Sequence, residues 1–215
     1  MAANEGKRDE GKKEDSKRVD AYDRRRREIL DAALGIFGKK GFDGLTLEAV
    51  ADAMGYTKPA LYYYFRNKEE ILTSLVIDSL REARDRMLWI TEELKTPRER
   101  VRDLISYYVD QNFSRRGYFS MHHHIKGFLE RALGDADREE IGRLSQEIPR
   151  LIISMIAEGV ETGEFRKEDP AMLGSVIFGM LSGVLMHLDM PALATMDGDR
   201  LKNTVCDIIV KGIEP

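Results

Sequence analysis

An all-α fold is predicted for this chain of 215 residues by three observations. Apolar residues recur at spacings of three and four, as in Ile29, Leu30, Ala33, Leu34 and Phe37, the period of a helix that buries one face. No stretch alternates as a half-buried strand would. Thr, Asn and Asp stand where the periodic runs begin, and glycine where they stop, as helix caps should. About nine helices are expected.

Residues 1–21 carry six basic and six acidic side chains and almost nothing to bury, which predicts a disordered charged tail. This opening has no apolar run of the secretory kind, so the expected location is cytoplasmic. Arg24 to Arg27 open the first helix, and Gly41, after two lysines, closes it. Thr46 is placed to cap a short second helix, Leu47 to Met54, which Gly55 breaks. Thr57 is the N-cap expected for a third helix ending at Phe65, with Pro59 in its first turn, where a missing N–H costs nothing. Asn67 and Glu70 form a capping box for a fourth helix reaching about Leu94, and Thr96, Pro97 and Glu99 repeat the pattern. Pro149 predicts a kink or a split. Asp169 before Pro170 starts a helix to residue 188, and a last one spans about 199–213. The expected organisation is a tail (1–21), a three-helix DNA-binding domain (22–67) and a larger helical domain (68–215).

Hydrophobic residues make up 42% and charged residues 33%, ordinary for a globular chain. The single cysteine, Cys206, excludes an internal disulfide and predicts a core filler. Net charge is −4, yet residues 1–68 balance to +3 and the remainder to −7, which points to nucleic acid at the amino-terminal end. Residues 170–188 are uncharged and near spanning length, with Gly179 and Gly183 in a GxxxG spacing. A helix apolar all round is equally expected at the centre of a helical domain or dimer, and the reading adopted is that no membrane is a partner.

Helix, tight turn and helix within Thr46 to Phe65 is the helix-turn-helix pattern, whose second helix enters the DNA major groove. Three consecutive tyrosines, Tyr62, Tyr63 and Tyr64, cannot share one helix face, because successive residues diverge by about 100°. With Leu61 and Phe65 turned to the core, Tyr63 points directly away from it and its neighbours flank it. Tyr63 is thus aimed at base edges, and Tyr62 and Tyr64 at bounding phosphates. Pro59 and Ala60 are small enough for close approach to the bases. Lys58 and Lys68 supply charge, and Thr46 and Thr57 stand at the helix starts, where free N–H groups suit phosphate.

These residues resemble the DNA-binding domain of the tetracycline-repressor (TetR) family. The similarity is carried by Ile29, Ala32, Phe37, Gly41, Phe42, Thr46, Val50, Ala51, Gly55, Thr57, Leu61, Tyr62, Tyr64, Phe65 and Lys68. Tyr56 stands where the family more often has valine, and Pro59 where it often has glycine. Further on, "EGVETGEFRKEDPAMLGSVIFGML" is similar to the family's link between its long seventh helix and the pair of helices that dimerise. The resemblance implies a homodimeric repressor of double-stranded operator DNA. Its larger domain would bind a small molecule between the fourth to eighth helices and release the operator on binding it.

For that effector, an aromatic and methionine-rich inventory predicts a mostly apolar pocket: Trp89, Tyr107, Tyr108, Met121, His122, Phe128, Met180 and His187. His122, His123 and His124 are adjacent, so they diverge around a helix and cannot close on one ion; no metal and no cofactor is expected. Helices near 170–188 and 199–213 carry more apolar surface than one subunit covers. Gly179, Gly183, Leu201, Val205, Ile208 and Ile209 are expected at a two-fold interface. No Gly-rich phosphate loop, nucleophile elbow or HExxH is present, which argues against an enzyme. The alternative is an architectural DNA-binding protein or activator without small-molecule control, against which the long second domain argues.

Overall fold

The computed structural model describes residues 2–114, 133–187 and 196–215, with side chains from Lys17 onward. Among them the chain forms eight helices: α1 (Ala2–Gly44), α2 (Leu47–Met54), α3 (Lys58–Tyr62), α4 (Lys68–Glu92), α5 (Pro97–Ser114), α6 (Asp135–Glu161), α7 (Pro170–His187) and α8 (Gly198–Ile213). Two compact units divide after Ile71.

The first unit is built around one stripe of α1. Ile29, Leu30, Ala33, Leu34 and Phe37 are buried, together with Leu45, Leu47, Val50, Ala51, Leu61 and Phe65. At Gly41 the backbone leaves helical geometry (φ 67°, ψ −167°), a conformation open to glycine, so the regular helix stops where the sequence places its end. The charged opening expected as a tail falls within the range of α1, which begins at Ala2. Apolar residues are scarce there, but Lys, Arg and Glu are good helix formers, and oppositely charged side chains recur at helical spacing.

Thr46 caps α2 by accepting a hydrogen bond from the Ala49 N–H at 3.0 Å. Gly55 ends it in the left-handed region (φ 67°), and the Gly55 and Tyr56 N–H groups close a Schellman turn on Asp52 and Ala51. α3 stops at Tyr62, a turn short of the expected Phe65, because the Tyr64 N–H turns back to the Leu61 carbonyl at 2.9 Å. The capping box before α4 is present: the Glu70 N–H donates to Asn67 Oδ1 and the Arg66 N–H to Glu70 Oε2, both at 2.8 Å.

In the second unit α5 packs against α8, α6 and α7, and α6 against α7. Met87, Ile90, Leu104, Ile105, Ile156, Phe165, Leu181, Leu185 and Val210 are among the buried residues of one continuous core. Cys206 lies in it, and burial pushes its thiol above the usual range. Pro149 does not split α6, which runs through it on the buried stripe Leu144, Ile148, Ile152, Met155 and Ile156. Arg81 of α4 makes a forked contact with Glu140 of α6 at 2.9 and 3.0 Å. Asp169 caps α7 and Asp197 caps α8, each carboxylate accepting from the first-turn N–H groups. α7 has the length and composition of a membrane-crossing helix, but Leu173, Gly174, Ile177, Leu181 and Leu185 are buried against the rest of the unit.

Candidate nucleic-acid interface

From Lys58 to Phe65 only Leu61 (0% exposed) and Phe65 (1%) point inward, and they fix the rotation of everything between them. Tyr62 is 51% and Tyr63 72% exposed, while Tyr64 is half-buried. Tyr63 and Tyr64 meet edge to face, with centroids 5.0 Å apart. Large rings this open cost apolar hydration unless a partner covers them. Lys58, Pro59 and Ala60 are also exposed, so one end of α3 presents small side chains and the other phenols.

The cations around this surface are held in place. Lys58 Nζ lies 2.8 Å from Glu48 of α2. The hydrogen bond and the charge attraction hold the Glu48 carboxyl below its usual range and Lys58 above its own. Lys68 sits 4.1 Å over the ring of Phe42. Thr46 caps as expected and keeps its hydroxyl hydrogen to donate, but the Thr57 side chain makes no capping hydrogen bond, and only its backbone takes the N-cap position.

Sequence reasoning missed three residues here. Glu48 partners Lys58, Arg26 stacks 4.6 Å over Phe65, and Tyr22 stacks on Tyr64 with centroids 5.0 Å apart. The signal was available: Tyr22, Arg26, Ile29 and Ala33 lie on one helical stripe.

Among the described residues, those expected in an effector pocket do not converge. Trp89 is 43% exposed and lies under the Arg86 guanidinium at 4.0 Å and the Lys95 ammonium at 5.5 Å. Tyr107 lines a cleft of about 330 Å³ whose other walls, among them Arg86, Asp103, Asp110 and Gln111, are polar. Tyr108 packs instead toward Phe178, at 6.3 Å. Met180 is 44% exposed and His187 is exposed, its Nδ1 donating to the Gly183 carbonyl at 2.6 Å. Helical spacing sets both on the outer face of α7 with Met172, Val176, Gly179 and Gly183. Met121, His122 and Phe128 lie outside the described residues, as do His123 and His124. Among the described residues no cluster of His, Cys, Asp and Glu has the makings of a metal site.

The expected dimer residues also separate. A Cβ at Gly179 or Gly183 would meet open space. Ile208 is 57% exposed, whereas Val205 and Ile209 are buried in their own subunit's core and Leu201 packs against it. Val205 and Ile209 face inward because α8 turns that stripe toward α5.

Two family models match the chain: "Bacterial regulatory proteins, tetR family" over residues 29–75, and "Tetracyclin repressor-like, C-terminal domain" over residues 94–186. The chain is 24% identical over 190 residues to the fatty acid metabolism regulator protein of Bacillus subtilis, spanning 86% of this chain and 94% of that one. Its fold is similar to the ketosteroid transcriptional regulator KstR2 of Mycobacterium tuberculosis (TM-score 0.75, 19% identity, 89% and 95% of the two chains). It is also similar to FadR from Bacillus subtilis in complex with stearoyl-CoA (TM-score 0.65, 24% identity, 86% and 98%). With the exposed tyrosines on a helix-turn-helix, these matches establish that the chain belongs to the TetR family, DNA-binding transcriptional repressors that respond to ligands.

Proposed function

We propose that this protein is a cytoplasmic homodimer that represses transcription from a near-palindromic operator and lets go when a small, mostly apolar molecule occupies its second unit. The observation that carries the reading is the outward set of Tyr62 and Tyr63 beside Pro59 and Ala60, held by the inward pair Leu61 and Phe65. One helix-turn-helix reads too few bases for a specific site, and a two-fold dimer presents two of them about one helical turn, or a multiple of it, apart. The outer face of α7 supports the dimer: Met172, Val176 and Met180 are exposed alongside Gly179 and Gly183, where nothing hinders a close approach.

In this reading Tyr63 contacts base edges, Tyr62 and Tyr64 contact flanking phosphates, and Lys58, Lys68 and Thr46 position the backbone of the duplex. The larger unit, α5 to α8 with most of α4, holds effector and partner. An apolar carbon skeleton is the effector class we favour. Two similar proteins bear the names of fatty acid and ketosteroid regulators, and one was solved with stearoyl-CoA. The effector acts by preferring an arrangement that the operator does not accept, so operator DNA must weaken effector binding by the same factor.

The test is a titration of purified protein against duplexes enriched from a randomised library, with and without stearoyl-CoA as the first effector probe. Specific binding is expected to fall by roughly 5- to 150-fold with a cognate effector. Tyr63→Ala should relax preference at the bases it reads, by about 1–3 kcal/mol at each such position. Equal affinity for enriched and random duplexes at physiological salt would reject the proposal.

A further inference from the structure

The amino-terminal end of α1 does not simply run into solvent. Its core stripe continues outward from Ile29 in two steps: Arg26 stacks 4.6 Å over Phe65, and one turn further out Tyr22 reaches the tyrosines that follow α3. The Tyr22 ring is stacked on Tyr64 (centroids 5.0 Å, planes 28° apart) and meets Tyr63 edge-on (5.8 Å, 80°). Three tyrosines from two distant parts of the sequence thus form one cluster, and Tyr22 is at the rim of the surface that Tyr63 presents. The next residue outward on the same face is Arg18, four positions and about 6 Å further along the axis. It is exposed, as is Lys17, and Arg25 on the same side lies 5.4 Å from the Tyr56 ring while pairing with Glu28. Asp20 projects from the opposite side of the helix, and Asp23 about a quarter turn away.

We propose that this arm of α1 belongs to the DNA-binding surface: Tyr22 braces Tyr63 and Tyr64 in their reading orientation, and Arg18 grips the phosphate backbone beside the bases they face. The inference rests on the DNA-binding reading above and adds to it a positioning residue and a phosphate contact from outside the helix-turn-helix. A guanidinium suits the second task, since its planar fork matches two phosphate oxygens. Tyr22 suits the first because a stacked ring removes freedom from its neighbours before DNA arrives, so less ordering is left to be done on binding.

The experiment uses the full chain and the duplex that the wild type enriches from a randomised library, with affinity followed by fluorescence anisotropy across a salt series. Arg18→Ala should weaken all duplexes alike and flatten the slope of log affinity against log salt by about 0.9 for each phosphate that Arg18 neutralises. Arg18→Glu should do so more strongly. Tyr22→Ala should lower affinity and relax preference at the same base positions as Tyr63→Ala, and Tyr22→Phe, which keeps the ring, should restore both. Wild-type affinity and slope in both Arg18 variants would overturn the phosphate contact. Unchanged preference in a folded Tyr22→Ala, checked by circular dichroism, would overturn the bracing role. If Tyr63→Ala alters specificity while these variants do not, the helix-turn-helix reading survives and the arm is excluded; failure of the wild type to enrich any duplex overturns both.

Discussion

The face of α3 and the outer face of α7 both expose large side chains to solvent, and they differ in what holds them. Around α3 the exposed groups are tied to neighbours: Tyr63 to Tyr64 and Tyr22, Lys58 to Glu48, Lys68 to Phe42. On α7, Met172, Val176 and Met180 are pliable or small-headed side chains around two glycines with open space above them. The first surface is organised in advance, as the proposed rigid and charged partner requires. The second suits another apolar helix, which can repack against methionines. Preorganisation marks the surface proposed for DNA, and plain uncovered area marks the other.

The largest effect should come from spoiling the second surface. Gly183→Arg adds a long charged side chain where the subunit itself has room, so folding should be unaffected while pairing is abolished. Sedimentation should show monomers, and operator affinity should fall by on the order of 10²–10⁴-fold once the second reading head is gone. A stable dimer would move the interface elsewhere. A smaller effect should follow Gly159→Ala. The added methyl would overlap the Phe165 ring, and a core strained in this way is destabilised by about 1–3 kcal/mol. Thermal unfolding should shift for the second unit, while the tyrosine environment of the first, followed by near-ultraviolet circular dichroism, stays as it was. The smallest should follow Glu48→Gln, which releases Lys58 and removes a negative charge from the DNA face. Operator affinity should rise by roughly a few-fold at low salt and the gain should shrink as salt screens it. Because Glu48 is held below the usual carboxylate range, wild type and variant should differ through the neutral range. They should converge only as acid protonates Glu48 in the wild type.

The same contrast explains what could be read from the sequence. Caps and stops are local, so Thr46, Gly55, Asn67 with Glu70, and Asp169 were legible from residue type and spacing. So was the outward set of tyrosines, because two anchors four residues apart settle a helix's rotation. The surroundings of Trp89 and Met180 were not legible, because an aromatic or a methionine on a helix carries no label saying which neighbour it will face. The burial of Val205 and Ile209 was hidden for a related reason: an apolar stripe announces that it will be covered, but not whether by its own chain or by another. Tyr22 was missed because nothing in its own stretch of sequence says which distant ring it will stack on.

The anchoring of Lys58 to Phe65 has an evolutionary side. Leu61 and Phe65 alone seat the segment in the core, and the outward positions at 58, 59, 60, 62 and 63 carry no part of it. Substitutions there can change which sequence is read at little cost to stability. A duplicated copy of such a gene can therefore drift to a new operator without first passing through an unfolded intermediate, its regulatory unit inherited intact.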